Sequence, residues 1–151
     1  MMTITGVSDN VQALLEATDK FTNVFPHEPT DETKFTGYPS AAHYYMNTES
    51  SYATVSQNRR ILEYIVELYM QVDAATTEAD RYKEAYTLID SIVQTFDESI
   101  DLSSDTIPLA KACDIMRPAP GELQQIKLDD GIGFVATIRL FCESDITFRN
   151  T

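Results

Sequence analysis

Arg60-Ile61-Leu62-Glu63-Tyr64-Ile65-Val66-Glu67-Leu68-Tyr69-Met70-Gln71-Val72 is the stretch whose reading sets the fold class. In an extended chain Leu62, Tyr64, Val66, Leu68, Met70 and Val72 fall on one face. Glu63, Ile65, Glu67, Tyr69 and Gln71 fall on the other. A period of two sustained over this length is a β-strand. At the usual rise it spans about 40 Å, longer than most strands, which predicts bending or an end that projects beyond the domain.

Upstream, residues 41–46 read as a second strand favoured by aromatic side chains. Residues 47–57, rich in Ser and Thr, read as a turn or an extended arm. Residues 23–39 carry Pro26, Pro29, Gly37 and Pro39 and read as a long surface loop suited to contact with a partner. Before it, Ser8 is the expected cap of a helix that begins at Asp9, turns Val11, Leu14 and Leu15 to one side, and ends by Phe21 or Thr22.

Downstream, Thr76 or Thr77 caps the strongest helix. Tyr82, Ala85, Tyr86, Ile89, Ile92, Val93, Phe96 and Ile100 form its apolar stripe, opposite Lys83, Glu84, Asp90, Gln94 and Asp97. Asp97, Glu98 and Asp101 sit at its C-terminal end, where negative charge is mildly unfavourable. Three strands are expected after it, over 107–116, 123–128 and 132–143. Asp129-Asp130-Gly131 makes the hairpin turn between the last two. In the closing strand Phe134, Ala136, Ile138, Leu140 and Cys142 alternate with Val135, Thr137, Arg139, Phe141 and Glu143. This order predicts one α+β domain over 1–151: a mainly antiparallel mixed sheet of four to five strands with two helices packed on one face.

The chain has 151 residues with 11 Lys+Arg, 24 Asp+Glu and a formal charge of -13. The basic residues are scattered, so the phosphate grip of a nucleic-acid-binding protein and docking on an anionic membrane are both disfavoured. No apolar run is long enough to span a bilayer. The N-terminus lacks the basic flank and apolar stretch of a signal peptide, so nothing is expected to send the chain out of the cytosol. Cys113 and Cys142 are expected to behave as small buried hydrophobes.

Catalytic patterns are missing. The five glycines build no phosphate-cradling loop, and Gly131-Ile132-Gly133 reads as a turn rather than part of a dinucleotide fingerprint. Asp129-Asp130 lacks the acidic alternation of a calcium loop. His27 lies in the proline-rich loop, and His43 in a strand where a packed histidine is commoner than a ligand. Glu63 and Glu67 share a face about 13 Å apart, too far to act together on one bond. No catalytic, cofactor-binding or metal-ligating residue is assigned, and a non-enzyme is expected.

The second face of the two best strands is semi-polar. Ile65, Tyr69, Val135, Arg139 and Phe141 are its candidate subunit-interface residues, since large apolar groups would otherwise face solvent. If the strands are neighbours, Arg139 is placed to pair with Glu63 or Glu67.

Several features together resemble the tail terminator, or tail-completion, proteins of long-tailed bacteriophages. They are the short N-terminal helix, Gly37-Tyr38-Pro39-Ser40-Ala41-Ala42 leading into a strand, and the Asn58-Arg59-Arg60-Ile61-Leu62-Glu63-Tyr64-Ile65-Val66-Glu67-Leu68-Tyr69 strand. The acidic-capped helix over 77–100 and the closing Gly131-Ile132-Gly133-Phe134-Val135-Ala136-Thr137-Ile138-Arg139-Leu140 strand complete them. The resemblance covers most of the chain as order and texture rather than as a signature motif.

It implies a homo-oligomeric, hexameric ring in the neck of a virion, assembled in the host cytoplasm. Such a ring ends tail-tube polymerisation and meets the tube protein below and the head connector or stopper above, while DNA passes through its centre. The family has no catalytic residues or cofactors to carry over. An acidic pore repels DNA and lets it slide, which makes Glu63, Glu67, Asp97, Glu98 and Asp101 candidate lumen or ring-face residues. Alternative readings are a head-side stopper or adaptor, a tail-tube protein, or a cytosolic protein-binding α+β module.

Overall fold

The computed structural model describes residues 2–52, 57–71, 77–128 and 131–147. In chain order the elements are α1 (Ile4–Ala17), β1 (Asn23–Phe25), β2 (Ser40–Tyr52), β3 (Gln57–Gln71), α2 (Glu78–Asp97), β4 (Ile115–Leu128) and β5 (Gly131–Thr147). The strands form one five-stranded sheet in the order β1-β2-β3-β5-β4. Only the β1 and β2 pair is parallel; the other neighbours are antiparallel. This is the expected α+β class.

The period-two stretch forms the centre of the sheet. Tyr64 pairs with Leu140, Val66 with Ile138, Leu68 with Ala136 and Met70 with Phe134, so the apolar faces of β3 and β5 coincide. Register is strongly specified here, because a slip of one residue would turn every one of these side chains to the opposite face. Both helices pack on that face. α1 buries Val7, Val11, Leu14 and Leu15, and α2 buries Ala85, Ile92 and Phe96. On the α2 side, the Tyr82 ring lies 4.9 Å from that of Phe134.

Several boundaries differ from those expected. Helix α1 starts a turn earlier, capped by Thr3, whose side chain accepts from the Gly6 N–H at 2.9 Å. The reason is that Val7 belongs to the buried stripe, which places Ser8 and Asp9 inside the helix. Ala17 ends it, and Asp19 takes the left-handed conformation at φ 56°, which a short polar side chain tolerates.

The expected loop over 23–39 contains β1, and the expected arm over 47–57 continues β2 as far as Tyr52. In α2, Thr77 is the N-cap, its side chain accepting from the Asp80 N–H at 3.3 Å; Thr76 lies outside the described residues. Two members of the expected stripe are exposed, Tyr86 at 52% and Ile100 at 59%. The helix ends at Asp97, so Ile100 is no longer in phase with it.

Of the strand expected over 107–116, only Ile115 and Met116 are in one, as the start of β4. Residues 98–114 make an irregular crossing held by α1: the Asn10 amide donates to the Leu102 carbonyl at 3.0 Å and to the Ala110 carbonyl at 2.7 Å. Leu102, fully buried at φ 61°, turns the chain there, because its side chain is needed in the core. β4 then runs from Ile115 through Pro118 and Pro120, with an irregularity between Pro120 and Leu123. As the edge strand it can lack ladder donors on its outer side. The separate strand expected over 123–128 is the second half of β4. Val72 and the Asp129-Asp130 turn lie outside the described residues.

Candidate functional site

The face of the sheet opposite the helices divides into two parts. At one end the segment after β1 folds over it. Phe35 packs edge-on against Phe25 at 5.3 Å, stacks with Tyr38 at 5.8 Å and meets Tyr69 at 4.9 Å. Asn23 anchors the segment, its side-chain oxygen accepting from the Thr36 N–H at 2.9 Å and from the Thr36 hydroxyl at 3.1 Å.

Beneath this cover lies Glu67. One carboxylate oxygen accepts from the Tyr44 hydroxyl and the other from the Tyr69 hydroxyl. Burial raises the pKa of both phenols, and the hydrogen bonds to Glu67 raise them further, so each stays a donor.

Further along β3 the same face is open. Arg139 reaches diagonally from β5 to Glu63, with Nη1 3.4 Å from Oε1. This is one of the two pairings expected. Glu63 and Glu67 therefore share a face, as read from the sequence, but each carboxylate has partners within the chain. Val135 and Phe141 are half-buried. Ile65 corrects the expectation of an exposed face: flanked by Tyr44 on β2 and Arg139 on β5, it is only 2% exposed. Tyr69 is likewise half-buried, against Phe35. Of the five candidate interface residues, Val135 and Phe141 are half-buried and Arg139 is exposed, whereas Ile65 and Tyr69 are covered within the chain.

The other acidic candidates lie elsewhere. Asp97 and Glu98 close α2 and are exposed. Asp101 has a local role: its carboxylate accepts from the Ser103 N–H at 3.0 Å and from the Ser103 hydroxyl, which lowers its pKa. The fold thus separates the five acidic residues into two groups, one on the sheet and one at the end of a helix.

A buried polar chain crosses the core side. His43 lies on β2 with no exposed surface. The Gln12 amide nitrogen on α1 donates to the Val24 carbonyl at 3.2 Å and to Glu16, which leaves its oxygen to accept from His43 Nε2. His43 Nδ1 then accepts from the Tyr64 hydroxyl at 2.6 Å. Desolvation lowers the His43 pKa from 6.5 to about 4, helped by the charge of His27. The ring is a neutral packing element joining α1, β2 and β3.

Cys113 and Cys142 are both buried, as expected, and the fold makes them neighbours. Their hydrogen bond, followed by burial, pushes the Cys142 pKa up, so its thiol stays protonated and unreactive. Among the described residues no three His, Cys, Asp or Glu side chains converge as a metal site requires. No helix among them is long and apolar enough to cross a membrane.

Sequence reasoning missed the Tyr44 and Tyr69 clamp on Glu67 and the aromatic cover. Phe25, Phe35 and Tyr38, three aromatic residues in a segment otherwise full of breakers, were the available signal. Comparison with known protein families finds no match, and comparison with curated proteins finds none either.

Proposed function

We propose that this chain is a non-enzymatic structural protein of a phage tail. In this reading copies close into a hexameric ring at the head-proximal end of the tail, end tube polymerisation and join the tail to the head connector while DNA passes through. The observation that carries the reading is the outer half of β2. Residues 45–51 are exposed at every position, and β3 is their only neighbouring strand among the described residues. They contain neither proline nor lysine. An open edge of this kind is a surface on which another chain can add.

The far edge of the sheet differs. β4 carries Pro118, Pro120 and an irregular register, features that discourage strand addition. With one open and one blocked edge, the open edge is suited to meeting a different surface of the next copy. Such heterologous contacts form closed rings when their rotation closes. The charge of -13 suits a conduit, because repeated acidic subunits repel the DNA that must slide past them.

Native mass spectrometry and negative-stain imaging of the purified chain test the proposal. The expected result is a hexamer with an open centre wide enough for a DNA duplex. Thr48→Lys combined with Ser50→Lys places charge on the open edge and is expected to leave a folded monomer. A wild-type chain that stays monomeric at high concentration, or stops at a two-fold dimer, would overturn the reading.

A further inference from the structure

The C-terminal ends of α1 and α2 border a cavity of about 380 Å³, walled on its third side by residues 103–106. No lining residue is basic, and two, Glu98 and Asp105, are acidic. Neither helix has a basic residue in its last turn, so the negative ends of both helix dipoles are left uncompensated by their own side chains.

The hydroxyls of the wall have mostly spent their protons. Thr18 donates to the Leu15 carbonyl at 2.7 Å, Thr95 to the Ser91 carbonyl at 3.0 Å, and Ser103 to the Asp101 carboxylate. Each hydroxyl is left with lone pairs to offer. Ser99 also lines the cavity at 9% exposure, and its hydroxyl has no hydrogen-bond partner among the described residues. The wall is therefore rich in acceptors and negative in potential, and what it lacks is a positively charged donor.

We propose that this cavity receives the cationic head of an arginine or lysine side chain presented by a partner protein. Guanidinium and ammonium groups carry only donors, which matches a wall of acceptors. The aliphatic stem of such a side chain is matched by Leu14 and Ala17. Two carboxylates without a third suit an organic cation better than a divalent metal. A chain of charge -13 also attracts basic partners and steers them in. The cavity lies within one chain, so the inference stands whether or not copies close into a ring.

The test is a ¹H–¹⁵N NMR titration of the purified chain with N-acetyl-argininamide, N-acetyl-lysinamide, the citrulline analogue of the first, and putrescine. Saturable shifts are expected at Thr18, Ser99 and residues 103–106 with the two cationic amides. The citrulline analogue keeps the shape of arginine without its charge and is expected to bind at least about tenfold more weakly.

Glu98→Gln with Asp105→Asn changes two exposed carboxylates, so the fold is expected to hold, and affinity should fall by a similar factor. Ser99→Ala is a second variant that leaves the charge intact and is expected to weaken binding less. Absence of saturable shifts at these amides, equal binding of the citrulline analogue, or unchanged affinity in the double variant would overturn the proposal. Tighter binding of putrescine than of either amide would assign the cavity to a free amine and overturn it as a protein-docking site.

Discussion

His43 is the clearest case of a residue whose protonation is tied to the fold. Its pKa is about 4 in the folded chain against 6.5 for an ordinary histidine, mainly because burial penalises the charged ring. Between these values the unfolded chain binds the extra proton and the folded chain does not. The stability His43 contributes is therefore complete above about pH 6.5 and is lost as pH falls toward 4, by about 3 kcal/mol in all. NMR titration of the ring should give a midpoint near pH 4. Urea unfolding of wild type and His43→Gln should differ less at pH 4 than at pH 7. A midpoint near 6.5 would show that the ring is not held neutral by burial. Glu67 makes a related point: two phenols satisfy its carboxylate, so its charge is engaged within the chain rather than left free to line a pore.

At the scale of elements, β3 was legible because period-two alternation directly encodes which face is buried. β4 was not. Pro118 and Pro120 argue against a strand by local rules, yet an edge position removes the objection, and position in a sheet is set by pairing with β5. The end of α2 was misread for a similar reason: Ile100 fits the helical spacing but the chain leaves the helix at Asp97. Among the glycines, the tightest approach lies in β5. A Cβ added at Gly133 would sit 2.5 Å from the Met70 carbonyl oxygen and 2.6 Å from Leu128 Cδ1. Gly133→Ala must therefore shift β5 against β3, and is expected to destabilise by about 2 kcal/mol in urea unfolding. An unchanged midpoint would mean that the strands yield without cost.

For the whole molecule, charge dominates. The four ion pairs found among the described residues are Arg59 with Asp145, Lys111 with Asp114, Arg117 with Glu143 and Arg139 with Glu63. All have at least one well-exposed partner, so each contributes little. Repulsion among the excess carboxylates is left as the larger electrostatic effect. Raising sodium chloride from low to physiological strength and beyond should screen it and raise the melting temperature by a few degrees, about 1 kcal/mol. A fall in melting temperature with salt would show that the exposed pairs outweigh the repulsion.

The alternation in β3 and β5, the helical stripe of α2 and the charge excess were enough to determine an α+β sheet with helices on one face and to disfavour a phosphate-gripping surface. Each of these follows from local spacing or from simple counting. Tertiary structure alone decided that the proline-rich segment covers Tyr69, that Glu67 lies in a tyrosine clamp, and that Ile65 is buried. It also decided that the ends of two helices distant in sequence enclose one acceptor-lined cavity. These features depend on contacts between residues far apart in the chain. Such contacts leave no periodic trace in the sequence, because each is set by how the elements pack rather than by their own repeat.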